Sequence, residues 1–373
     1  MAQTETKRLS TGLKILYTLI FIVIVFILFE AALRTVGIHT RRESPFFLLL
    51  KVHEYPEYFR RHSTLFWEFI PNKTIKGDFL AEGEYHINNQ GFRGEDFSTE
   101  KPTDVIRVGC IGNSCTFGWE IPEGKTYPEL LELELEEMYP EQDFQVLNLG
   151  VPGYTSHQGL VLLKEKVLDF DPDIITLSFG WNDIWGAGKG ITDKEQEILS
   201  PTVVWLQNIL AHLETYKLMK YLILEVTEDE GLESFNIQNP QYRVSQQEYR
   251  YNLSQIERIA TENGIVPVFL TSPAPDTRVY FGPQSESQLE NLFRIHEEYN
   301  QVIRQLRDRE QFWVAPAATY FKNQSGFFDP RLEDYIHYNV KGHEYVASII
   351  AQYLRRYMIV DNVIESRQLR QGS

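Results

Sequence analysis

The chain has 373 residues, of which 43% are hydrophobic and 24% charged, a composition typical of an ordered globular protein. Its formal net charge is −16; residues 1–42 carry +4, which leaves −20 on the rest. A body with that charge repels phosphate backbones, so nucleic acid is not expected as a partner. The two cysteines, Cys110 and Cys115, are too few for a disulfide framework, and with no nearby histidine they make a poor zinc site.

The first predicted element is an apolar segment close to the N-terminus. Residues 15–29 hold no charged side chain, and apolar character resumes after Glu30. This length approaches the roughly 20 residues that cross a bilayer, so we predict a leader at 1–14 and an uncleaved transmembrane anchor at 15–34. A cleaved signal peptide is the main alternative, because basic residues precede the segment, and a buried core helix is the third.

The orientation of this anchor follows only weakly from charge. Basic residues lie on both sides of it, so the positive-inside rule discriminates little. A short leader can stay in the cytoplasm while a long domain is exported. We therefore expect a single-pass membrane protein whose main domain is extracytoplasmic, in the periplasm or outside the cell.

Residues 35–103 are predicted to form an accessory segment with β-structure. Within it, aromatic and branched residues are interrupted by Pro-Asn and Gly turn signals, a pattern that favours short strands over helices. The role of this segment is not evident from its sequence.

From residue 104 onward, strand and helix signals alternate. Short buried runs predict five strands, and helix starts of the capping-box type occur at Thr126 and Ser245. Strands that alternate with helices form a parallel sheet covered on both faces. The predicted strands are 104–112, 144–150, 172–180, 265–273 and 311–316.

Two further segments complete the predicted domain organisation. Residues 186–244 exceed a normal connection and include a helix-like part at 201–226, so we expect an insertion that forms either a lid or a solvated surface excursion. The main domain is predicted to end at 358 and to be followed by a tail at 359–373.

The residues with catalytic potential follow the predicted strands, where parallel sheets bind ligands. Ser114 lies on a glycine-flanked turn after the first strand, and Gly153, after the second, offers a backbone donor. Asn182, after the third strand, offers a side-chain amide. After the fifth strand, Asp334 precedes His337 by three residues, so its carboxylate can reach the imidazole and fix its tautomer.

These four segments together resemble the SGNH (GDSL-type) hydrolases. The blocks GNSCTFG, NLGVPGYT, GWND and DYIHYN stand in the order that the family shows, and the resemblance covers about 104–358. It implies a flavodoxin-like three-layer α/β/α fold with a five-stranded parallel sheet. One departure is Asn113, where such families usually have an aspartate before the serine.

The resemblance also implies a role for each residue. Ser114 would be the nucleophile, His337 the base and Asp334 the group that orients it. The oxyanion would be held by the Ser114 and Gly153 amides and the Asn182 side chain. His343 and His157 are expected to pack rather than to react. Trp119, Trp181 and Trp185 are expected to pack in the core, with a sugar-stacking platform as the alternative.

The predicted function is that of a membrane-anchored serine esterase that forms an acyl-serine intermediate and needs no cofactor or metal. Its expected substrates are acylated small molecules or O-acetylated envelope or extracellular glycans. O-acetyl transfer and lipid ester hydrolysis, such as a lysophospholipase performs, are alternatives. A non-catalytic glycan-binding or scaffold module is the alternative of another class, and protein partners stay open.

Overall fold

The computed structural model describes most of the chain. The described residues are 10–36, 55–76, 84–187, 190–196, 198–227, 241–275, 286–322, 324, 326–328 and 336–371. The predicted catalytic acid, Asp334, lies outside them.

A five-stranded, fully parallel sheet forms the centre of the fold, as the sequence predicts. The first of its five strands in the chain occupies the second position in the sheet. The second strand lies on one side of it, and the third, fourth and fifth follow in order on the other side. Each strand coincides with one of the five predicted buried runs. The strands are β5 (Val105–Gly112), β6 (Asp143–Gly150), β7 (Ile174–Ser178), β8 (Val266–Leu270) and β9 (Trp313–Ala315), while β1–β4 precede the sheet and are described below.

Helices cover this sheet on both faces. The capping boxes expected at Thr126 and Ser245 are both formed, and a third forms at Thr155. The helices are α2 (Ser114–Phe117), α3 (Tyr127–Met138), α4 (Ser156–Glu165), α7 (Gln246–Glu262), α8 (Glu286–Glu310), α9 (Ala317–Phe321) and α10 (Val340–Arg356). Helix α10 packs on α3, and α7 packs on both α4 and α8. This arrangement matches the three-layer SGNH fold.

Two antiparallel hairpins precede the sheet. They are formed by β1 (Phe59–His62) with β2 (Phe66–Phe69), and by β3 (Lys73–Lys76) with β4 (Glu84–Ile87). Phe69 stacks on Phe117 of α2, with the ring centroids 5.3 Å apart. Because their apolar side chains are buried in the same cluster as those of the sheet, the hairpins share the core of the main domain.

The N-terminal helix α1 (Thr11–Val36) is the helix of the described part that is long and apolar enough to cross a membrane. An 18-residue stretch of this helix has a mean hydropathy of 2.7, and only 6% of the residues in that stretch are buried. Only Glu30 and Leu33, near its C-terminal end, are buried. A helix that is apolar all round and exposed along most of its length has the character of a membrane span.

The insertion contains α5 (Pro201–Leu210) and α6 (Glu214–Thr227), where the sequence predicts one continuous helix-like stretch. Two backbone hydrogen bonds hold its ends together. The N–H of Val244 donates to the backbone carbonyl of Asp183, and the N–H of Arg243 donates to the backbone carbonyl of Trp185. Helix α5 contacts β1, and α6 contacts α1. The described part of the insertion therefore packs on the first hairpin and on the N-terminal helix.

The C-terminal segment is more ordered than the tail expected at 359–373. Residues Ile359–Gln371 form α11, and Ile359 and Val360 are buried in the core. Arg367 donates to the backbone carbonyls of Thr103 and Val105 at the start of β5. The main domain therefore continues past residue 358, because apolar side chains beyond that residue are buried in its core.

Candidate active site

The register of the sheet brings three of the predicted segments to one edge. Gly112 at the end of β5 is level with Gly150 of β6 and Ser178 of β7. The chain leaves all three strands at this carboxyl edge, which is where open α/β sheets bind their ligands. The segments that carry Ser114, Gly153 and Asn182 therefore start side by side.

Glycine at two strand ends lets α2 lie directly on this edge. A Cβ at Gly112 would lie 2.0 Å from Oγ1 of Thr116, and one at Gly150 would lie 2.2 Å from the backbone nitrogen of Phe117. Neither distance is sterically possible without movement of the helix. The two glycines therefore set how close Ser114 sits to the sheet.

Ser114 occupies the first position of the one-turn helix α2. The side-chain oxygen of Asn113 accepts a hydrogen bond from the N–H of Cys115 at 2.9 Å and so caps the helix. An amide oxygen serves this purpose as a carboxylate does. The departure from the usual aspartate at position 113 therefore preserves the turn. The N–H of Ser114 itself has no acceptor within its helix, as is general for first-turn amides.

The structure brings Ser114 and His337 into contact. Oγ of Ser114 lies 2.7 Å from Nε2 of His337, which is hydrogen-bonding distance. The imidazole also stacks on the ring of Trp119, with centroids 5.9 Å apart and planes inclined by 22°. Ser114 is 7% exposed, so its hydroxyl is largely shielded from water while it still reaches the edge. This geometry suits proton transfer from the hydroxyl to the imidazole.

The loop that carries His337 is fixed from several sides. Cys115 is buried, and its Sγ lies 3.5 Å from the carbonyl oxygen of Ile336. Tyr338 pairs with Phe328 in an isolated bridge, and Asn339 caps α10 through the N–H of Gly342. These contacts hold the imidazole against α2.

Gly153 lies on the loop after β6 with a φ of +81°, a left-handed conformation that favours glycine. Its carbonyl oxygen accepts a hydrogen bond of 2.8 Å from Nη1 of Arg243. The same guanidinium binds Gln158 at 2.9 Å and the buried carboxylate of Asp193 at 2.8 and 3.0 Å. Arg243 therefore fixes the backbone conformation of the Gly153 loop.

Asn182 is partly exposed, and its Oδ1 has no hydrogen-bond partner among the described residues. A half turn of the amide presents Nδ2, a donor, at the same position. Its neighbour Asp183 is buried and accepts hydrogen bonds from the N–H and Oγ of Ser156 and from the N–H of Gly180. Burial raises the pKa of Asp183 to about 6, although these hydrogen bonds oppose the shift. Asp183 thus links the loop of Asn182 to the start of α4.

The other aromatic and histidine candidates have different positions. Trp181 is fully buried and stacks on His296, with centroids 3.8 Å apart, so it cannot contact substrate. His343 is buried as well; burial lowers its pKa to about 3, and its Nδ1 accepts the N–H of Tyr127. His157 stacks on Phe66. Trp119 is partly exposed beside His337.

Sequence reasoning missed the residues of the accessory segment 35–103 that support the predicted site. Arg93 is buried and donates to the carbonyls of Phe117 and Gly118 at the end of α2, at 3.2 and 2.7 Å. Trp67 donates its Nε1–H to the carbonyl of Pro152, the residue before Gly153, at 3.2 Å. The only local sequence feature that could have indicated this support is the position of Arg93 in a turn between Gly91 and Gly94. Within the described residues, no group of three or more His, Cys, Asp or Glu side chains could hold a metal ion.

One protein family and several solved structures are similar to this chain. Residues 110–345 match the GDSL-like Lipase/Acylhydrolase family. Among solved structures, an acetylxylan esterase from Geobacillus stearothermophilus is 16% identical with a TM-score of 0.42, over 67% of this chain and 94% of its own. A GDSL-like lipase from Bacteroides thetaiotaomicron is 13% identical with a TM-score of 0.41, over 70% and 93%.

A lipase/acylhydrolase from Enterococcus faecalis is 18% identical with a TM-score of 0.39, over 68% of this chain and 96% of its own. No protein in the curated collection matches the sequence. The family match alone spans more than half of the 373 residues and includes the segments of Ser114, Gly153, Asn182 and His337. The chain is a serine hydrolase that belongs to the GDSL-like lipase/acylhydrolase family.

Proposed function

We propose that Ser114 is the nucleophile of this hydrolase and His337 its general base, and that the chain is a membrane-anchored esterase. The observation that carries the proposal is the 2.7 Å contact between Oγ of Ser114 and Nε2 of His337 at the carboxyl edge of the sheet. Asp334 completes the proposed triad as the group that orients the imidazole through Nδ1.

The proposed reaction has two balanced stages. Oγ of Ser114 bonds to the ester carbonyl carbon while its proton moves to Nε2 of His337. The bond to the alcohol then breaks, the alcohol leaves with that proton, and an acyl-serine remains. A water molecule next gives a proton to Nε2 and attacks the acyl carbon. The acid departs and Oγ of Ser114 recovers the proton. With a sugar hydroxyl in place of water, the same steps transfer the acyl group.

The negative charge that develops on the carbonyl oxygen needs fixed donors. The proposed donors are the N–H groups of Ser114 and Gly153 and the side-chain amide of Asn182, which follow three adjacent strands. Loss of one donor of this kind typically lowers turnover about 100- to 1000-fold. Oδ1 of Asn182 is buried and has no hydrogen-bond partner among the described residues, so the amide can turn to present Nδ2 as a donor at that position.

The proposed substrates are O-acyl groups, above all O-acetyl groups, of envelope or extracellular glycans. Two points support this choice: α1 has the character of a membrane anchor, and an exported domain meets such glycans. The partly exposed ring of Trp119 beside His337 suits a sugar or an acyl chain. Lipid esters are the second candidate, since an anchor of this kind holds the domain close to a bilayer.

Turnover of acetyl, butyryl and octanoyl esters by the full-length protein tests the proposal. Ser114→Ala should lower turnover by several orders of magnitude, whereas Ser98→Ala, at an exposed serine away from the edge, should leave it unchanged. A preference for acetyl esters would favour glycan substrates, and a preference for octanoyl esters would favour lipids. Equal turnover by Ser114→Ala and the wild type would overturn the assignment of the nucleophile.

A further inference from the structure

Helix α5 turns two polar side chains, Gln207 and Asn208, toward the protein. Oδ1 of Asn208 accepts the backbone N–H of Arg61 at 2.7 Å, and its Nδ2 donates to the carbonyl of the same residue at 3.1 Å. Gln207 accepts from the Arg61 side chain at 3.3 Å. Asn208 thus pairs with the free edge of β1 as a neighbouring strand would.

The opposite side of α5 is apolar and exposed. Positions at helical spacing on this side are 41–62% exposed, and the whole helix carries no charged residue. Helix α6, which follows α5 in the chain, also has apolar side chains, and these are 48–53% exposed. We call the exposed apolar side chains of the two helices the α5–α6 apolar face; its residues are Val203, Trp205, Leu206, Ile209, Met219, Leu222 and Ile223. Exposed apolar surface beyond scattered single residues marks an interaction site.

The α5–α6 corner is bonded to the end of α1. The Glu30 carboxylate accepts the N–H groups of Glu214 and Thr215, each at 2.9 Å, and so caps α6 from another helix. Arg34 donates to Glu30 at 2.9 Å and to the carbonyl of His212 at 2.7 Å. The apolar face therefore begins where the exposed apolar stretch of α1, residues 15–29, ends.

Charge agrees with a position at a lipid surface. Residues 201–227, which contain both helices, carry Lys217 and Lys220 against Glu214 and Glu225, a net charge of zero in a chain of −16. A helix pair with an apolar outward side and little negative charge suits the boundary between headgroups and acyl chains, and anionic lipids do not repel it.

We propose that the α5–α6 apolar face lies in the interfacial layer of the same bilayer that α1 spans. The insertion thereby docks the hydrolase body on the membrane, in addition to the covalent attachment through α1. This inference rests on the membrane anchor proposed above and is independent of the esterase assignment. A second copy of the chain, or another protein, is the competing occupant of this face.

Site-directed spin labels on the full-length protein test this docking. The protein is reconstituted in phosphatidylcholine–phosphatidylglycerol vesicles and labelled at Leu206→Cys or Ile209→Cys. Val23→Cys in α1 is the lipid reference, and Leu133→Cys, a 59% exposed position on α3, is the aqueous control. Native Cys110 and Cys115 are buried, so the introduced cysteine is the one that reacts.

At Leu206 and Ile209 we expect more frequent collisions with oxygen than with a water-soluble nickel chelate, as at Val23, and the reverse at Leu133. Labels at Leu206 and Ile209 that resemble Leu133, or that are shielded from both reagents, would overturn the docking while the anchor stands. Aqueous behaviour at Val23 would overturn both. Ester turnover of the same samples reports separately on the proposed function.

Fluorescence gives an independent measurement without a label. Brominated lipids quench tryptophan only at short range, so part of the emission of the wild-type protein should be lost in vesicles that contain them. This part should be absent in Trp205→Phe, in which the exposed indole is missing. Equal quenching of both proteins would contradict the inference.

Discussion

Arg243 joins the insertion to the loop of Gly153, and a double-mutant cycle can separate its effect on stability from its effect on catalysis. The guanidinium binds Asp193, which is 3% exposed, and the carbonyl oxygen of Gly153 at 2.8 Å. The cycle comprises Arg243→Met, Asp193→Asn and the double variant, all in the full-length protein.

The magnitudes follow from burial. Arg243→Met leaves the Asp193 carboxylate with a hydrogen bond from Thr155 but no cation, and removal of one partner of a buried ion pair costs about 3–5 kcal/mol. In the double variant no uncompensated charge remains, so we expect it to recover about half of that loss. Catalysis should not recover, because the Gly153 carbonyl lacks its donor in both variants.

For turnover we expect a loss of about 10- to 100-fold in Arg243→Met, below the limit set by complete removal of an oxyanion donor. The assay is acetyl ester turnover in detergent well below the unfolding transition, beside denaturant unfolding followed by tryptophan fluorescence. Asp193→Asn is the control that keeps the Gly153 bond. If turnover and stability recover together in the double variant, Arg243 acts only through the fold and the positioning argument fails.

Three further predictions concern neighbouring groups. Asn113→Asp should retain both turnover and stability, since either side chain caps α2, whereas Asn113→Ala should lose about 1 kcal/mol of unfolding free energy in a denaturant titration. Gly150→Ala should lower turnover more than 10-fold, because its Cβ would displace α2; if turnover is unchanged, α2 is not fixed as described. The folded-state pKa of Asp183 lies above its unfolded value of 3.8, so the stabilisation by its protonated form is complete below about pH 4 and is lost as the pH rises to about 6. This loss amounts to about 3 kcal/mol of unfolding free energy. Asp183→Asn should therefore flatten the plot of unfolding free energy against pH in this range. Identical plots for the variant and the wild type would refute the raised pKa of Asp183.

The sheet could be predicted from the sequence because each strand is a short apolar run that ends in a local turn signal. The same holds for the segments of Ser114, Gly153 and Asn182, whose positions follow once the strands are known. The break between α5 and α6 could not be predicted, since the group that caps α6 is Glu30, 184 residues away.

Contacts between distant residues account for the rest of what the sequence does not reveal. Arg243 reaches Gly153 across 90 residues, and Trp67 reaches Pro152 across 85. Nothing local to an arginine or a tryptophan indicates which backbone carbonyl it will find. The buried start of α11 was likewise missed, because its few apolar side chains show no clear helical periodicity and are buried only through packing on the rest of the domain.

The cap that Glu30 provides has a consequence for the order in which the protein folds. During synthesis α1 emerges first, and α6 follows only after the hairpins and the first three strands of the sheet. Until then the Glu30 carboxylate has no partner from α6. Closing a loop of this length is slow relative to local helix formation. Completion of the insertion is therefore a late step that requires α1 to be in place, and under the membrane anchoring proposed above α1 enters the bilayer before the catalytic body is complete.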